Sequence, residues 1–118
     1  MVFLNQYINK IRDYIYSSID YGQLGTGTAT PDESQTALTN PDSATKLELS
    51  NITLADKSLK FDYQLPSTEG STATYSEFEL RDNTDDLSAT KVIFTGIDFE
   101  PNSDKEIHIT TISYLRNI

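Results

Sequence analysis

Between Leu59 and Leu65 the chain alternates without a fault, with Leu59, Phe61, Tyr63 and Leu65 on one side and Lys60, Asp62 and Gln64 on the other. A period of two over such a run predicts a strand buried on one face. Four further stretches read the same way with local breaks of phase. Within residues 44 to 54, Leu47 and Leu49 alternate with Lys46 and Glu48, whereas Ile52 and Leu54 change parity, which predicts a bend near Ser50-Asn51. Residues 75 to 81 place Phe78 and Leu80 inward and Glu77 on the opposite face. Residues 90 to 99 contain the continuous run Val92-Ile93-Phe94, which suits a strand covered on both faces, and Gly96 marks a bend. Residues 106 to 115 set Ile107 and Ile109 against Ile112 and Tyr114 of the other parity, so a bulge near Thr110-Thr111 is expected.

Only the first residues carry a different period. Phe3, Tyr7, Ile11, Tyr14 or Ile15, and Ser18 or Ile19 recur at steps of three and four, which predicts an amphipathic helix over residues 2 to 19 with Gly22 as its stop. Its apolar stripe is broad for one helix on a small sheet. It either packs on the chain's own strands or leaves Phe3, Tyr7, Ile11 and Tyr14 as an assembly surface. The expected fold is therefore mainly β: a small antiparallel β-sandwich or curled sheet of five or six strands preceded by an N-terminal amphipathic helix. One domain is expected, divided into residues 1–22 (helix), 23–43 (turn and short helix) and 44–118 (strands).

The join between the two regimes is Leu24-Gly25-Thr26-Gly27-Thr28, followed by Pro31, Asp32 and Thr36-Ala37-Leu38. Gly25 and Gly27 permit either a positive φ or a close approach of another part of the chain. Pro31 suits the first turn of a helix, with Thr30 as its cap and Asp32 and Glu33 at the positive end of its dipole. A tight structural turn, a short helix or helical turn over residues 31 to 38 and Leu38 as its apolar anchor are expected. A long connecting loop is the plainer alternative. The stretch is not a phosphate loop, since no strand pattern precedes it, the third glycine of a dinucleotide fingerprint is missing and no Gly-Lys-Ser/Thr follows.

The order of these motifs resembles small tail-fibre and other virion proteins of tailed bacteriophages. The parts that carry the resemblance are Ile11-Arg12-Asp13-Tyr14-Ile15 before the glycine turn, Glu77-Phe78-Glu79-Leu80-Arg81-Asp82 in the middle and a closing pair of strands from Val92 to Leu115. The chain departs from the pattern where Glu79-Leu80-Arg81-Asp82 stands for Gly-Leu-Phe-Asp, which bears on how closely that strand packs. The resemblance implies a non-enzymatic structural component of a virion, in the tail, baseplate or fibre-attachment region. Its partners would be other virion proteins and further copies of itself. A capsid decoration protein is the alternative within the same particle. A carbohydrate-binding β-sandwich, with Tyr21, Tyr63, Tyr75 and Tyr114 as stacking platforms, is the alternative from another class.

Composition narrows the chemistry. A net charge of −9 with nine Lys plus Arg repels nucleic acid and anionic membranes, so neither is expected as a partner. No apolar run approaches the length of a membrane span, and no secretory leader is read at the start. The absence of cysteine removes disulfides, thiolate metal ligands and a cysteine nucleophile. His108 is the sole histidine and is expected on a surface or edge, without a triad around it. Glu77 and Glu79 share a strand face, but a glycosidase needs a sugar cleft around such a pair. Residues 82–86 read as an acidic turn lacking the Gly and late Glu of a calcium loop. No cofactor, no metal and no catalytic residue is expected.

Overall fold

A computed structural model describes residues 1–82 and 86–116. Among these residues it shows one α-helix, α1 (Asn5–Ser18), a short 3-10 turn at Ser43–Thr45 and seven strands: β1 (Ile19–Gly25), β2 (Leu47–Glu48), β3 (Asn51–Ala55), β4 (Ser58–Leu65), β5 (Ala73–Asp82), β6 (Ser88–Phe99) and β7 (Ile107–Tyr114). These form two antiparallel sheets, one in the order β2-β1-β5-β6 and the other β3-β4-β7. The mainly β class and the leading helix thus match the hydrophobic pattern.

The core lies between the sheets. Leu59, Phe61, Tyr63 and Leu65 of β4 are all buried and face Leu24, Phe78 and Leu80 of the other sheet. The Tyr63 and Phe78 rings meet at 5.0 Å between centroids with a tilt of 59°, the inclined arrangement aromatic pairs prefer. Tyr63 keeps its polar tip satisfied by donating to the carbonyl of Thr45 at 2.6 Å. Burial pushes its hydroxyl pKa up, since the phenolate would be stranded among apolar groups.

The helix ends earlier than its periodicity suggests. Ile19 is already in β1, and Gly22, expected as a helix stop, sits in the middle of that strand opposite Leu80. A Cβ on Gly22 would lie 2.5 Å from Tyr63 and 2.8 Å from Phe78, so the glycine is there to let two rings close over the backbone. The helical row that meets the body is Ile8, Arg12 and Ile15, one position on from the broader stripe and continued by Ile19 in β1. Two polar residues of α1 fix it to the β3–β4 turn. Arg12 Nη1 donates to Ala55 O at 2.8 Å, and Asn9 Oδ1 accepts from Lys57 N at 2.8 Å.

Other local expectations change in the same way. The bend near Ser50-Asn51 is a transfer between sheets: β2 pairs with β1, and β3 pairs with β4. Between Tyr75↔Ile97 and Glu77↔Ile93 the register shifts, placing the irregularity in β6 at residues 94 to 96, which include Gly96. No bulge occurs at Thr110-Thr111. β7 pairs with β4 in unbroken register from Leu65↔Ile107 to Ser58↔Tyr114, so Ile112 and Tyr114 face outward and stay exposed. An edge strand can bear apolar residues on its outer face without disturbing its register, and a bulge is not required.

Replacing Gly22 by Ala should destabilise the fold by roughly 1–3 kcal/mol through overpacking against Tyr63 and Phe78. A urea midpoint unchanged from wild type would show that the rings can move aside.

Candidate functional site

β5 is covered on both faces. Residues 75 to 80 are all buried, Phe78 and Leu80 against the opposite sheet, Glu77 beneath the chain that follows β1 and Glu79 beside Arg81. That chain forms an Ω-shaped loop. Its base is closed by the Gly25↔Pro41 bridge, by Thr26 N donating to Asn40 O at 3.0 Å and by Asp42 N donating to Leu24 O at 2.9 Å. Thr45 completes the closure, its Oγ1 accepting from Leu24 N at 2.8 Å.

Glu77 holds the loop to the sheet. Its carboxylate accepts from Gly27 N at 2.8 Å, Thr39 N at 2.9 Å and Asn40 N at 2.9 Å, and Lys91 Nζ approaches at 3.6 Å. Lys91 also donates to Thr39 Oγ1 at 3.1 Å and Gln35 Oε1 at 3.3 Å, tying β6 to the loop. Burial alone pushes the Glu77 carboxyl up. The backbone donors of Asn40, Thr39 and Gly27 and the Lys91 ammonium outweigh it, so the group is held below its ordinary value of 4.5.

The two glycines find their reason here. A Cβ on Gly25 would stand 2.5 Å from Glu77 Oε2, and one on Gly27 2.6 Å from the same oxygen. Neither has a positive φ; the one glycine that does is Gly70, among the described residues. Close approach to the carboxylate, not turn geometry, fixes them. Leu38 is buried as an anchor, but residues 31 to 38 do not form a helix. The segment makes a single turn closed by Gln35 N donating to Asp32 O at 3.0 Å. Asp32 is occupied locally, accepting from Ser34 N at 2.8 Å and Ser34 Oγ at 2.6 Å, the side-chain competition that keeps Asp out of helix interiors.

The remaining polar candidates are engaged elsewhere. Glu79 is buried and paired with Arg81 at 2.8 Å, and Arg81 reaches Asp86 at 2.7 Å. Glu77 and Glu79 therefore face a loop and a guanidinium rather than a cleft. Within the acidic turn at 82–86, residues 83–85 lie outside the described residues; Asp86 pairs with Lys46 at 3.1 Å. Among the described residues no three His, Cys, Asp or Glu side chains gather as a metal site. His108 is exposed and lies 3.0 Å from Glu106 Oε2. Of the four tyrosines considered as sugar platforms, Tyr63 and Tyr75 are buried in the core. Tyr75 donates to Asp42 Oδ2 at 2.6 Å, and burial with that bond pushes its pKa up to about 12.

One exposed apolar surface lies on α1 and the residues just before it. Phe3, Tyr7, Ile11 and Tyr14 are 48, 51, 39 and 68% exposed, and Phe3 and Tyr7 stack with centroids 6.0 Å apart. Beside them Tyr114, Leu115 and Arg116 close a shallow hollow of about 240 Å³ lined by Phe3, Ile8 and Ile11. No protein-family model matches the chain, and no curated protein aligns with it. No helix among the described residues is long and apolar enough to cross a membrane. The surfaces themselves, then, are what bears on function: a helix stripe, and the edges of the two sheets. Lys91 as the buried counter-ion and the Asn9–Arg12 clamp on the β3–β4 turn have no signal in the sequence, because each depends on a contact between distant segments.

Two predictions test the cradle. Glu77→Gln puts an amide N–H against at least one backbone donor and should cost about 1–3 kcal/mol. Because the folded pKa is depressed, the wild-type contribution is present above pH 4.5 and is lost as pH falls through the lower folded value. The stability gap between wild type and Glu77→Gln should therefore narrow on acidification in that range, as read by denaturant midpoints; a gap independent of pH would place the charge elsewhere. Gly25→Val with Gly27→Val should prevent folding, read as loss of the native circular dichroism. Wild-type spectra and stability in the double variant would mean the loop can lift away from Glu77.

Proposed function

We propose that this chain is a non-enzymatic assembly protein of a tailed-phage virion, a component of the tail, baseplate or fibre-attachment region that acts through protein–protein contact. The resemblance of its motif order to that class supports the reading. The observation that carries the assembly role is the exposed stripe of Tyr7, Ile11 and Tyr14 on α1, with Phe3 just before it stacked on Tyr7. Covering a large apolar side chain is worth roughly 1.5–3 kcal/mol, so four exposed ones in one row form a strong docking surface. α1 meets the body through a different row, Ile8, Arg12 and Ile15, so a neighbour could dock on Tyr7, Ile11 and Tyr14 without unseating the helix. Helix-in-groove docking of this kind is read from anchors at steps of three and four.

The chain would be made in the host cytoplasm and carried in the particle. Mass spectrometry of purified particles and of separated tails and heads should find it with the tail; recovery only on heads would favour capsid decoration. Tyr7→Glu with Tyr14→Glu changes two exposed positions. The variant should keep the wild-type fold and melting temperature within about 2 °C, the small-effect range for surface substitutions, yet be lost from particles. Normal incorporation of a folded double variant would remove the stripe as the docking surface.

A further inference from the structure

The two sheets present four edges, and two of them are blunted. β2 is only two residues long. β3 runs beneath α1, whose Arg12 occupies the Ala55 carbonyl. β6 and β7, of 12 and 8 residues, are the long edges, and they flank the same opening. Between them lies an apolar groove of about 650 Å³ lined by Val92, Phe94, Ile97, Ile109 and Ile112 among others. Residues 107 to 115, Ile-His-Ile-Thr-Thr-Ile-Ser-Tyr-Leu, contain no carboxylate and no Lys or Arg in a chain of net charge −9. Natural edges usually carry an inward charge, a proline or a bulge to prevent pairing. β7 carries none of the three, and its register is unbroken.

We propose that β7 pairs antiparallel with β7 of a second copy of this chain, joining the two three-stranded sheets into one across a two-fold axis. The proposal concerns the edge of β7, which adjoins the helix stripe at Tyr114, Leu115 and Arg116, and stands whichever particle the chain serves.

Backbone geometry and charge select the register. In a two-fold antiparallel pair the free N–H and C=O groups of an edge belong to alternate residues, so only residues of like parity can face one another. With Thr111 opposite the partner's Thr111, Ser113 faces the partner's Ile109, Leu115 faces the partner's Ile107, and Arg116 faces the partner's Glu106. Arg116 and Glu106 are both exposed, and the symmetry makes their pair twice. Ile107 stays in its own core, and the partly buried Ile109 of each strand meets the partner's Ser113 beside the apolar groove. Within residues 106 to 116 this register sets no carboxylate against another, since the one carboxylate there, Glu106, faces Arg116.

The test uses the full chain, which has no native cysteine. Residues directly opposite in an antiparallel pair have Cα atoms about 4.5–5.5 Å apart, within disulfide reach. Thr111→Cys should oxidise to a covalent dimer far faster than Thr28→Cys on the exposed loop. Ser113→Cys and Ile109→Cys should each stay monomeric under the same oxidation but cross-link when mixed, which reads the same register without touching Thr111. In sedimentation equilibrium, Glu106→Arg should weaken the dimer by about three- to tenfold, as expected for two exposed ion pairs reversed, and Glu106→Arg with Arg116→Glu should restore it. A chain that is monomeric up to about 1 mM, the weak end of specific association, overturns the proposal. So does Thr111→Cys cross-linking no faster than Thr28→Cys. A dimer abolished by Tyr7→Glu with Tyr14→Glu and indifferent to Glu106→Arg overturns it as well, and assigns self-association to the helix.

Discussion

One buried carboxylate governs how the upper sheet is finished. Glu77 lies at the centre of β5, a strand with neighbours on both sides, and cannot be left charged beneath a loop without donors. Three backbone N–H groups and Lys91 supply them, and all three N–H groups come from the ends of one loop. The consequences run outward from there. Gly25 and Gly27 must be glycine, because the carboxylate occupies the space a Cβ would need. The loop must return beside its own start, which the Gly25↔Pro41 bridge achieves. Leu38 is carried inward, and Lys91 is withdrawn from the surface to neutralise the pair. A hydrophobic residue at position 77 could cover the same area, but it would leave those donors without partners.

How much of this is legible in the sequence depends on whether a residue's neighbours are near it in the chain. β4 is read at once, since Leu59, Phe61, Tyr63 and Leu65 meet a single sheet face and their period is undisturbed. The opposite parity of Glu77 and Phe78 is equally readable, but not that both faces are buried, because the covering loop comes from residues 27 to 40. β1 is hidden for a different reason. The helical rhythm of α1 runs on through Ile19, and Gly22 has the look of a helix stop; the rings that require it belong to β4 and β5. The Pro31 segment shows a helix-start composition whose Asp32 bonds its own loop instead. The glycine pair is conspicuous in the sequence, and its purpose is not, since the carboxylate it serves is some fifty residues away.

The helix shows the same division between local and tertiary information. Its period predicts amphipathicity correctly but not which of two adjacent rows faces the body. Asn9 and Arg12 decide that. Their bonds to Lys57 N and Ala55 O rotate α1 so that Ile8 and Ile15 turn inward and the aromatic row turns out. A polar clamp on one turn of the sheet thereby determines the character of a whole exposed surface.

The distribution of charge gives these surfaces their meaning. A chain of net charge −9 repels its own copies and most anionic surfaces over most of its area. The electrostatic cost of bringing up another copy is least at places where the acidic residues give way. The helix stripe is one: among Phe3, Tyr7, Ile11 and Tyr14 there is no charge, and the helix's Asp13 is engaged by Arg12 at 2.8 Å. The strand from Ile107 to Tyr114 is the other. It adds what the helix lacks, a row of backbone donors and acceptors whose spacing dictates register as well as contact. Apolar area sets how strongly two surfaces stick, while a strand edge flanked by Glu106 at one end and Arg116 at the other sets how they align. Repulsion over the rest of the acidic surface is what would make contact at those two places specific.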